Sequence, residues 1–147
     1  MAERFQDRVV FETIGKVAVI TLDRPERLNA FDAPMYQGVN EALDKFASSP
    51  SLWVAVIQAA GERAFSAGAD VAALSENAAK GVNAALGGLN LDNGMVTNKP
   101  IIAAVHGFCV GEGVSLALCC DMIFSDPDAK FIISEAKVGT NAVDIPI

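Results

Sequence analysis

Short β-strand patterns alternate with helical patterns along this chain, and their order is the feature that most constrains the fold. Two β-branched runs, 9–14 and 17–22, are joined by Gly15-Lys16, which is typical of a hairpin. Further strands are predicted at 53–59, 101–105, 121–125 and 130–133. Because helical patterns separate these runs, the sequence predicts an α/β fold with helices covering mostly parallel strands.

Helical periodicity is clearest over residues 34–48, where apolar side chains recur about every 3.6 residues. Asp32 lies near the start of this helix and Pro34 lies in its first turn. A helix is also expected over 71–85, with Asp70 as its cap. The remaining predictions are a second helix within 89–98, a short helix over 114–120, and loops at 64–70 and 107–113.

Composition indicates one folded domain and excludes several kinds of partner. The chain has 147 residues, is 52% hydrophobic and has a mean hydropathy of +0.34, which excludes intrinsic disorder. The net charge is −7 without a basic cluster, so neither nucleic acid nor a membrane surface is expected as a partner. No membrane span or signal peptide is recognisable, and a cytoplasmic location is therefore expected.

Two glycine-containing segments, 64–70 and 107–113, each lie beside a predicted helix start. Glycine lets a ligand approach the backbone, and N–H groups that converge on one oxygen form an oxyanion hole. From the residues alone, tight turns and close packing are the favoured explanation of these glycines. Neither segment carries the glycine pattern of a phosphate-binding loop.

Few side chains are candidates for chemistry. Glu135 follows an apolar strand, where a carboxylate is suited to general acid or base work, although pairing with Lys137 or with water is favoured from the residues alone. His106 has no serine in a nucleophile motif to serve, so a hydrogen-bonded structural histidine is expected. One histidine without a paired cysteine motif makes zinc improbable, and buried, reduced thiols are expected at Cys109, Cys119 and Cys120.

Four segments together, in this order and at this spacing, resemble the crotonase superfamily of enoyl-CoA hydratases and isomerases. They are Ile20–Ala30, Ala64–Asp70, Lys99–Gly111 and the stretch from Leu116 to Glu135. The resemblance covers residues 8–140 and implies a spiral of ββα units that binds an acyl-CoA thioester. It also implies that residues 1–147 form a single crotonase-like domain without the family's C-terminal helical portion. The apolar end at 141–147 agrees with a chain that is cut short.

The resemblance assigns the two glycine segments to an oxyanion hole. It implies that the N–H groups of Ala69 and Glu112 hold the thioester oxygen as it becomes an enolate. Many family members have glycine where Glu112 stands, so its side chain is expected to point away from the thioester. The CoA contacts that the resemblance implies are Arg27, Leu28, Ala69, Asp70, Val71 and Ala72.

Hydration and double-bond isomerisation both remain open. Glu135 matches the second of the two glutamates that hydratases of the best-known type use, and it is expected to move the proton. The first glutamate falls on Ser115, which cannot serve as a carboxylate base but has a hydroxyl that can position water or substrate. Isomerisation shuttles a single proton and is therefore a serious alternative.

The resemblance also bears on cofactors and assembly. No metal or redox cofactor is implied, because CoA enters as part of the substrate. The C-terminal portion helps to build trimers in the family, so a trimer or hexamer is expected of the full-length form. The alternatives are an acyl-CoA-binding protein without turnover, an inactive fragment, and a structural subunit of an oligomer.

Overall fold

The chain folds into two sheets and three helices within residues 2–79, 87–91 and 97–134, which are the residues that the computed structural model describes. The strands are β1 (Glu3–Phe5), β2 (Val9–Ile14), β3 (Val17–Leu22), β4 (Val54–Ala59), β5 (Ala64–Ser66), β6 (Ile101–Val105), β7 (Phe108–Val110), β8 (Met122–Ser125) and β9 (Lys130–Ile132). The helices are α1 (Ala33–Ser48), α2 (Val71–Ala79) and α3 (Glu112–Leu118), and Pro25–Arg27 form one 3-10 turn. None of these helices is long and apolar enough to traverse a bilayer.

The larger sheet has six strands in the order β1-β2-β3-β4-β6-β8. The first three strands are antiparallel neighbours, and Gly15 makes the tight turn between β2 and β3 with a φ of +59°. From β3 onward all neighbours are parallel, which confirms the predicted, mostly parallel α/β arrangement. Parallel neighbours need crossover connections, and the intervening chain supplies them.

The smaller sheet contains the three short strands β5, β7 and β9, which are all parallel. Each short strand directly follows a strand of the larger sheet, so β4 leads to β5, β6 to β7 and β8 to β9. Helices α2 and α3 then return the chain to the larger sheet. The repeating unit is therefore two strands and a helix, as in the predicted ββα spiral.

Helix α1 covers the antiparallel end of the larger sheet and supplies much of the core. Asp32 caps it by accepting a hydrogen bond from the Met35 N–H at 3.0 Å, and Pro34 lies in the first turn, as predicted. Val39, Leu43 and Phe46 on its inner face are fully buried. Burial of each such side chain contributes about 1.5–3 kcal/mol.

Some predicted boundaries and elements are wrong. The predicted loops at 64–70 and 107–113 contain β5 and β7, and β1 was not predicted. The predicted helix over 114–120 begins at Glu112 and ends at Leu118. The predicted helix over 71–85 is confirmed over Val71–Ala79, and its remainder lies outside the described residues. The second helix, predicted for part of 89–98, stays a prediction, because 89–91 and 97–98 are not helical and 92–96 lie outside the described residues.

Candidate active site

The segment from β5 to α2 is held by hydrogen bonds along most of its backbone. The Ala67 N–H donates to the Leu28 carbonyl at 2.9 Å, and the Gly68 carbonyl accepts from the Phe31 N–H at 2.8 Å. The Asp70 N–H donates to the Phe31 carbonyl at 2.9 Å, which makes Ala69 the partner of Phe31 in a parallel bridge. Since backbone groups of an extended chain alternate in direction, the Ala69 N–H points away from Phe31. No described residue accepts a hydrogen bond from it.

The second segment runs from β7 into α3. The Gly111 N–H donates to the Ile132 carbonyl of β9 at 2.9 Å, which fixes this turn against the smaller sheet. Gly111 has a φ of +49°, a conformation that favours glycine, and Glu112 follows as the first residue of α3. The Gly111 carbonyl accepts from the Val114 and Ser115 N–H groups at 2.8 and 3.0 Å. The N–H of a first helical residue points out of the helix start.

Two glycines let these segments touch through their backbones. A Cβ atom built on Gly68 would lie 3.0 Å from the Val110 carbonyl oxygen and 3.6 Å from the Glu112 nitrogen. A Cβ atom built on Gly113 would lie 2.8 Å from the Ser66 Cβ atom. Any side chain at either position would separate the segments. The fold therefore brings the Gly68 turn, which precedes Ala69, close to the backbone of Glu112.

An open depression of about 310 Å³ lies beside the first segment. Its lining residues are Glu26, Arg27, Leu28, Ala30, Arg63 and Asp70. Three of the predicted CoA contacts, Arg27, Leu28 and Asp70, thus share one surface. The predicted contacts Val71 and Ala72 are exposed on the first turn of α2 and do not line it. We name this surface the Arg27 depression.

Asp70 connects the depression to the start of α2. Its carboxylate accepts a hydrogen bond from the Ala73 N–H at 3.1 Å, which confirms the predicted helix cap. Burial of this carboxyl raises its pKa, but the hydrogen bonds from Ala73 and Arg24 and the charges of Arg24 and Arg27 outweigh that effect. The pKa of Asp70 therefore lies below its ordinary value of 3.8, and the group is ionised at neutral pH.

Comparison with known proteins assigns the fold and these segments to one family. The sequence model of the enoyl-CoA hydratase/isomerase family matches residues 12–144. The chain belongs to this family, within the crotonase superfamily. It is 42% identical over 128 residues to a carnitinyl-CoA dehydratase of Proteus mirabilis (strain HI4320), covering 86% of this chain and 49% of the relative. It is 43% identical over 126 residues to a carnitinyl-CoA dehydratase of Salmonella arizonae, covering 85% and 48%.

Solved structures of the crotonase superfamily agree with this assignment. A probable enoyl-CoA hydratase/isomerase from Mycobacterium abscessus is similar with a TM-score of 0.81 and 38% identity, covering 94% of this chain and 53% of that one. A carnitinyl-CoA dehydratase from Mycobacterium avium 104 is similar with a TM-score of 0.83 and 33% identity, covering 93% and 54%. The chain spans about half the length of the curated relatives and solved structures that it matches.

The two remaining family positions lie in different parts of the chain. Ser115 is buried at 4% exposure on α3, one turn after Glu112, and its carbonyl accepts a hydrogen bond from the Cys119 N–H. The predicted acid/base Glu135 lies outside the residues that the structure describes. Its role therefore stays a prediction.

Sequence analysis missed two arginines that the structure places at this site. Arg63 lines the Arg27 depression from the turn between β4 and β5, and Arg24 contacts Asp70 at 2.8 Å. Arg63 could have been predicted, because it is a basic residue that directly precedes the predicted loop at 64–70. For Arg24 there was no such signal, because its contacts depend on residues far along the chain.

His106 does not fit the prediction of a hydrogen-bonded structural histidine. Its Nε2 atom is buried, and no described residue forms a hydrogen bond with it. The backbone carbonyls of Val105, His106 and Gly107 accept hydrogen bonds from the N–H groups of Asp126, Phe65 and Lys130. His106 lines a cleft of about 390 Å³ at the carboxyl ends of β4, β6 and β8.

None of the three cysteines forms a disulfide; Cys109 is buried as predicted, whereas Cys119 and Cys120 are only partly buried. Cys109 is fully buried, and burial raises the pKa of its thiol to about 12. Burial, with a smaller effect of the Asp121 charge, raises the pKa of Cys120 to about 12. Within the described ranges, no three histidine, cysteine or acidic side chains form a group that could hold a metal ion.

Proposed function

We propose that the chain acts on acyl-CoA thioesters as an enzyme of the enoyl-CoA hydratase or isomerase type. In this proposal the N–H groups of Ala69 and Glu112 hold the thioester oxygen while it takes up the negative charge of an enolate. The single observation that carries the proposal is the contact between the Gly68 turn and the start of α3, where a Cβ atom built on Gly68 would lie 3.6 Å from the Glu112 nitrogen.

The energetic reason is the charge that grows on the thioester oxygen during proton removal. Donors that the fold has already oriented stabilise this charge without reorganising, and loss of one typically costs about 2.7–4 kcal/mol. The Ala69 N–H suits this role because its neighbours Gly68 and Asp70 are tied to Phe31 by hydrogen bonds of 2.8 and 2.9 Å. The loop is thus rigid where the oxygen would bind.

The Arg27 depression suits the CoA portion of the substrate. CoA carries several negative phosphate charges, and the depression is lined by Arg27 and Arg63 as well as by Glu26 and by Asp70, the residue after Ala69. The carboxylate of Asp70 is paired with Arg24, which reduces its repulsion of a phosphate. Leu28 adds an apolar contact within the same surface. The predicted contacts Val71 and Ala72 lie further along, at the exposed start of α2.

We propose Glu135 as the group that moves the proton, with Ser115 positioning water or substrate by hydrogen bonding. Relatives named as carnitinyl-CoA dehydratases favour hydration and its reverse, dehydration, over isomerisation. The cytoplasmic location and the trimeric or hexameric assembly expected from the family resemblance belong to the same proposal. So does the absence of any cofactor besides the CoA of the substrate.

The second candidate is an acyl-CoA-binding protein without turnover, which is favoured by Ser115 where hydratases have a glutamate. Titration with crotonyl-CoA and with its β,γ-isomer by calorimetry, together with the enoyl absorbance, separates the two functions. Loss of absorbance from crotonyl-CoA indicates hydration, and a gain from the β,γ-isomer indicates isomerisation. Binding without either change supports the second candidate. Absence of binding at millimolar ligand would contradict both.

A further inference from the structure

A buried guanidinium joins the starts of two helices beside the candidate active site. Arg24 is 8% exposed at the end of β3. Its Nη1 atom donates to the Ala30 carbonyl at 3.0 Å and to Asp70 Oδ2 at 2.8 Å. Its Nη2 atom lies 3.4 Å from Asp32 Oδ2. One side chain therefore contacts three groups from separate parts of the site.

Both carboxylates that Arg24 contacts are helix caps. Asp32 accepts from the Met35 N–H of α1 with Oδ1, and Asp70 accepts from the Ala73 N–H of α2 with Oδ1. Each carboxylate thus uses one oxygen for its helix and the other for Arg24. Arg8 also donates to Asp32 Oδ2 at 3.2 Å, so that two arginines face two aspartates.

A buried ion pair by itself is weak evidence of stabilisation, because removing both charges from water is costly. Its geometry is more informative. The planar guanidinium has several donors in fixed directions, which a lysine ammonium does not reproduce. In this structure the donors of Arg24 hold the carboxylate of Asp70, the residue after the proposed donor Ala69. They also hold the carbonyl of Ala30, three residues after Arg27.

A second set of hydrogen bonds ties the same two segments together. The Arg24 N–H donates to Asn29 Oδ1 at 2.8 Å, and Asn29 Nδ2 donates to the Ala60 and Ala64 carbonyls at 2.9 and 3.0 Å. The Ser66 hydroxyl donates to the Asn29 carbonyl at 2.9 Å. The backbone N–H of Arg24 is therefore linked to β5 through the Asn29 side chain. The side chain of Arg24 holds Asp70 in the loop that follows β5.

We propose that Arg24 is a positioning residue of this active site: by holding the Asp70 carboxylate and the Ala30 carbonyl together, it fixes the direction of the Ala69 N–H. Arg24 is buried behind the loop and acts through Asp70 rather than on the substrate. The positioning is a property of the folded chain, whereas its catalytic consequence rests on the proposed function.

The positioning is tested by amide hydrogen exchange without any ligand. Because loss of one partner from a buried ion pair is strongly destabilising, Arg24→Met should make the Asp70 and Ala73 amides exchange about tenfold faster or more, with β4 and β6 still protected. Arg24→Lys should have a smaller effect in the same direction. If Arg24→Met fails to fold, the double variant Arg24→Met with Asp70→Asn is measured instead. It removes the Asp70 carboxylate that the single change leaves without Arg24.

Arg4→Met is the matched control, since Arg4 also donates to an aspartate at 2.8 Å but its side chain is 47% exposed and hydrogen-bonds to Asp23 and to the Asp7 carbonyl, not to the loop. It should leave exchange at Asp70 and Ala73 unchanged. The inference is overturned if Arg24→Lys and the double variant both keep wild-type exchange at these amides, or if Arg4→Met accelerates it equally.

The catalytic consequence is read from turnover of crotonyl-CoA. A misplacement of about 1 Å can cost about a hundredfold in rate, so Arg24→Lys should lower kcat at least about tenfold while KM changes little. Unchanged kcat with faster exchange at Asp70 would overturn the link to catalysis. If the unmodified protein itself neither binds nor converts crotonyl-CoA, the proposed function fails, and the exchange experiment still decides the role of Arg24.

Discussion

Gly107 provides the sharpest test of how the two sheets are joined. It connects β6 to β7 with a φ of +57°, and a Cβ atom built on it would lie 2.2 Å from the Arg63 carbonyl oxygen. Gly15 has nearly the same φ, +59°, but nothing lies within 4 Å of its Cβ position. Alanine at the two positions therefore creates the same backbone strain and differs in the clash alone.

The expected magnitudes follow from these contacts. Gly15→Ala should lower the free energy of unfolding by about 1–2 kcal/mol, the cost of a left-handed conformation with a side chain. Gly107→Ala adds about 1–3 kcal/mol for overpacking, because the Arg63 backbone must move. It also disturbs the hydrogen bonds Phe108 N–H to Arg63 and Phe65 N–H to His106, at about 1 kcal/mol each. We expect a total loss of about 4–7 kcal/mol.

Urea unfolding followed by circular dichroism measures both variants against the unmodified chain. A loss of this size is a large share of the roughly 5–15 kcal/mol that stabilises a typical domain, so Gly107→Ala should unfold at a clearly lower urea concentration than Gly15→Ala. Equal losses for the two variants, within about 0.5 kcal/mol, would refute the reasoning, because the approach of Arg63 to Gly107 would then have no energetic consequence.

Three further predictions concern single groups. In the folded protein Cys109 and Cys120 should resist iodoacetamide at pH 8, because their raised pKa values keep them protonated, and should react after denaturation; mass spectrometry that finds them alkylated in the native state would contradict this. Since the pKa of Asp70 is lowered in the folded state, its stabilisation should be complete above pH 3.8 and be lost as pH falls through the folded pKa. Urea titrations should therefore show a difference between wild type and Asp70→Asn at pH 6 that shrinks toward pH 3, and a constant difference would count against it. Glu135→Gln should abolish turnover of crotonyl-CoA and leave its affinity nearly unchanged; full turnover would remove Glu135 from the mechanism.

Elements with a strong local pattern could be predicted from the sequence. The hairpin at Gly15 and the helix that begins after Asp32 were predicted to within one or two residues, because periodicity and capping are local signals. Strands β5 and β7 could not be predicted in this way. They have three residues each, and they are strands because β7 pairs with β5 on one side and with β9 on the other.

The same distinction applies to the candidate site. The segments around Ala69 and Glu112 were placed together by family resemblance, since their glycines alone indicate turns. Arg24 was missed because its role depends on carboxylates at positions 32 and 70, which the fold brings to it. The lack of a partner for the buried His106 Nε2 among the described residues could not be predicted either, because it depends on the residues that the fold packs against the ring.

In the proposed function the Ala69 N–H donates to the carbonyl of a bound acyl-CoA thioester. Infrared spectroscopy of crotonyl-CoA labelled with ¹³C at the thioester carbonyl tests this hydrogen bond directly. We expect a lower carbonyl frequency on binding, which moves back toward the solution value when Ala69 is replaced by lactic acid. This exchange puts an ester oxygen in place of the N–H and weakens the preceding carbonyl as an acceptor. The same replacement at exposed Ala33, whose preceding carbonyl also accepts a hydrogen bond, should have no effect. One carbonyl frequency in all three proteins, or no change on binding, would contradict the proposed role of Ala69.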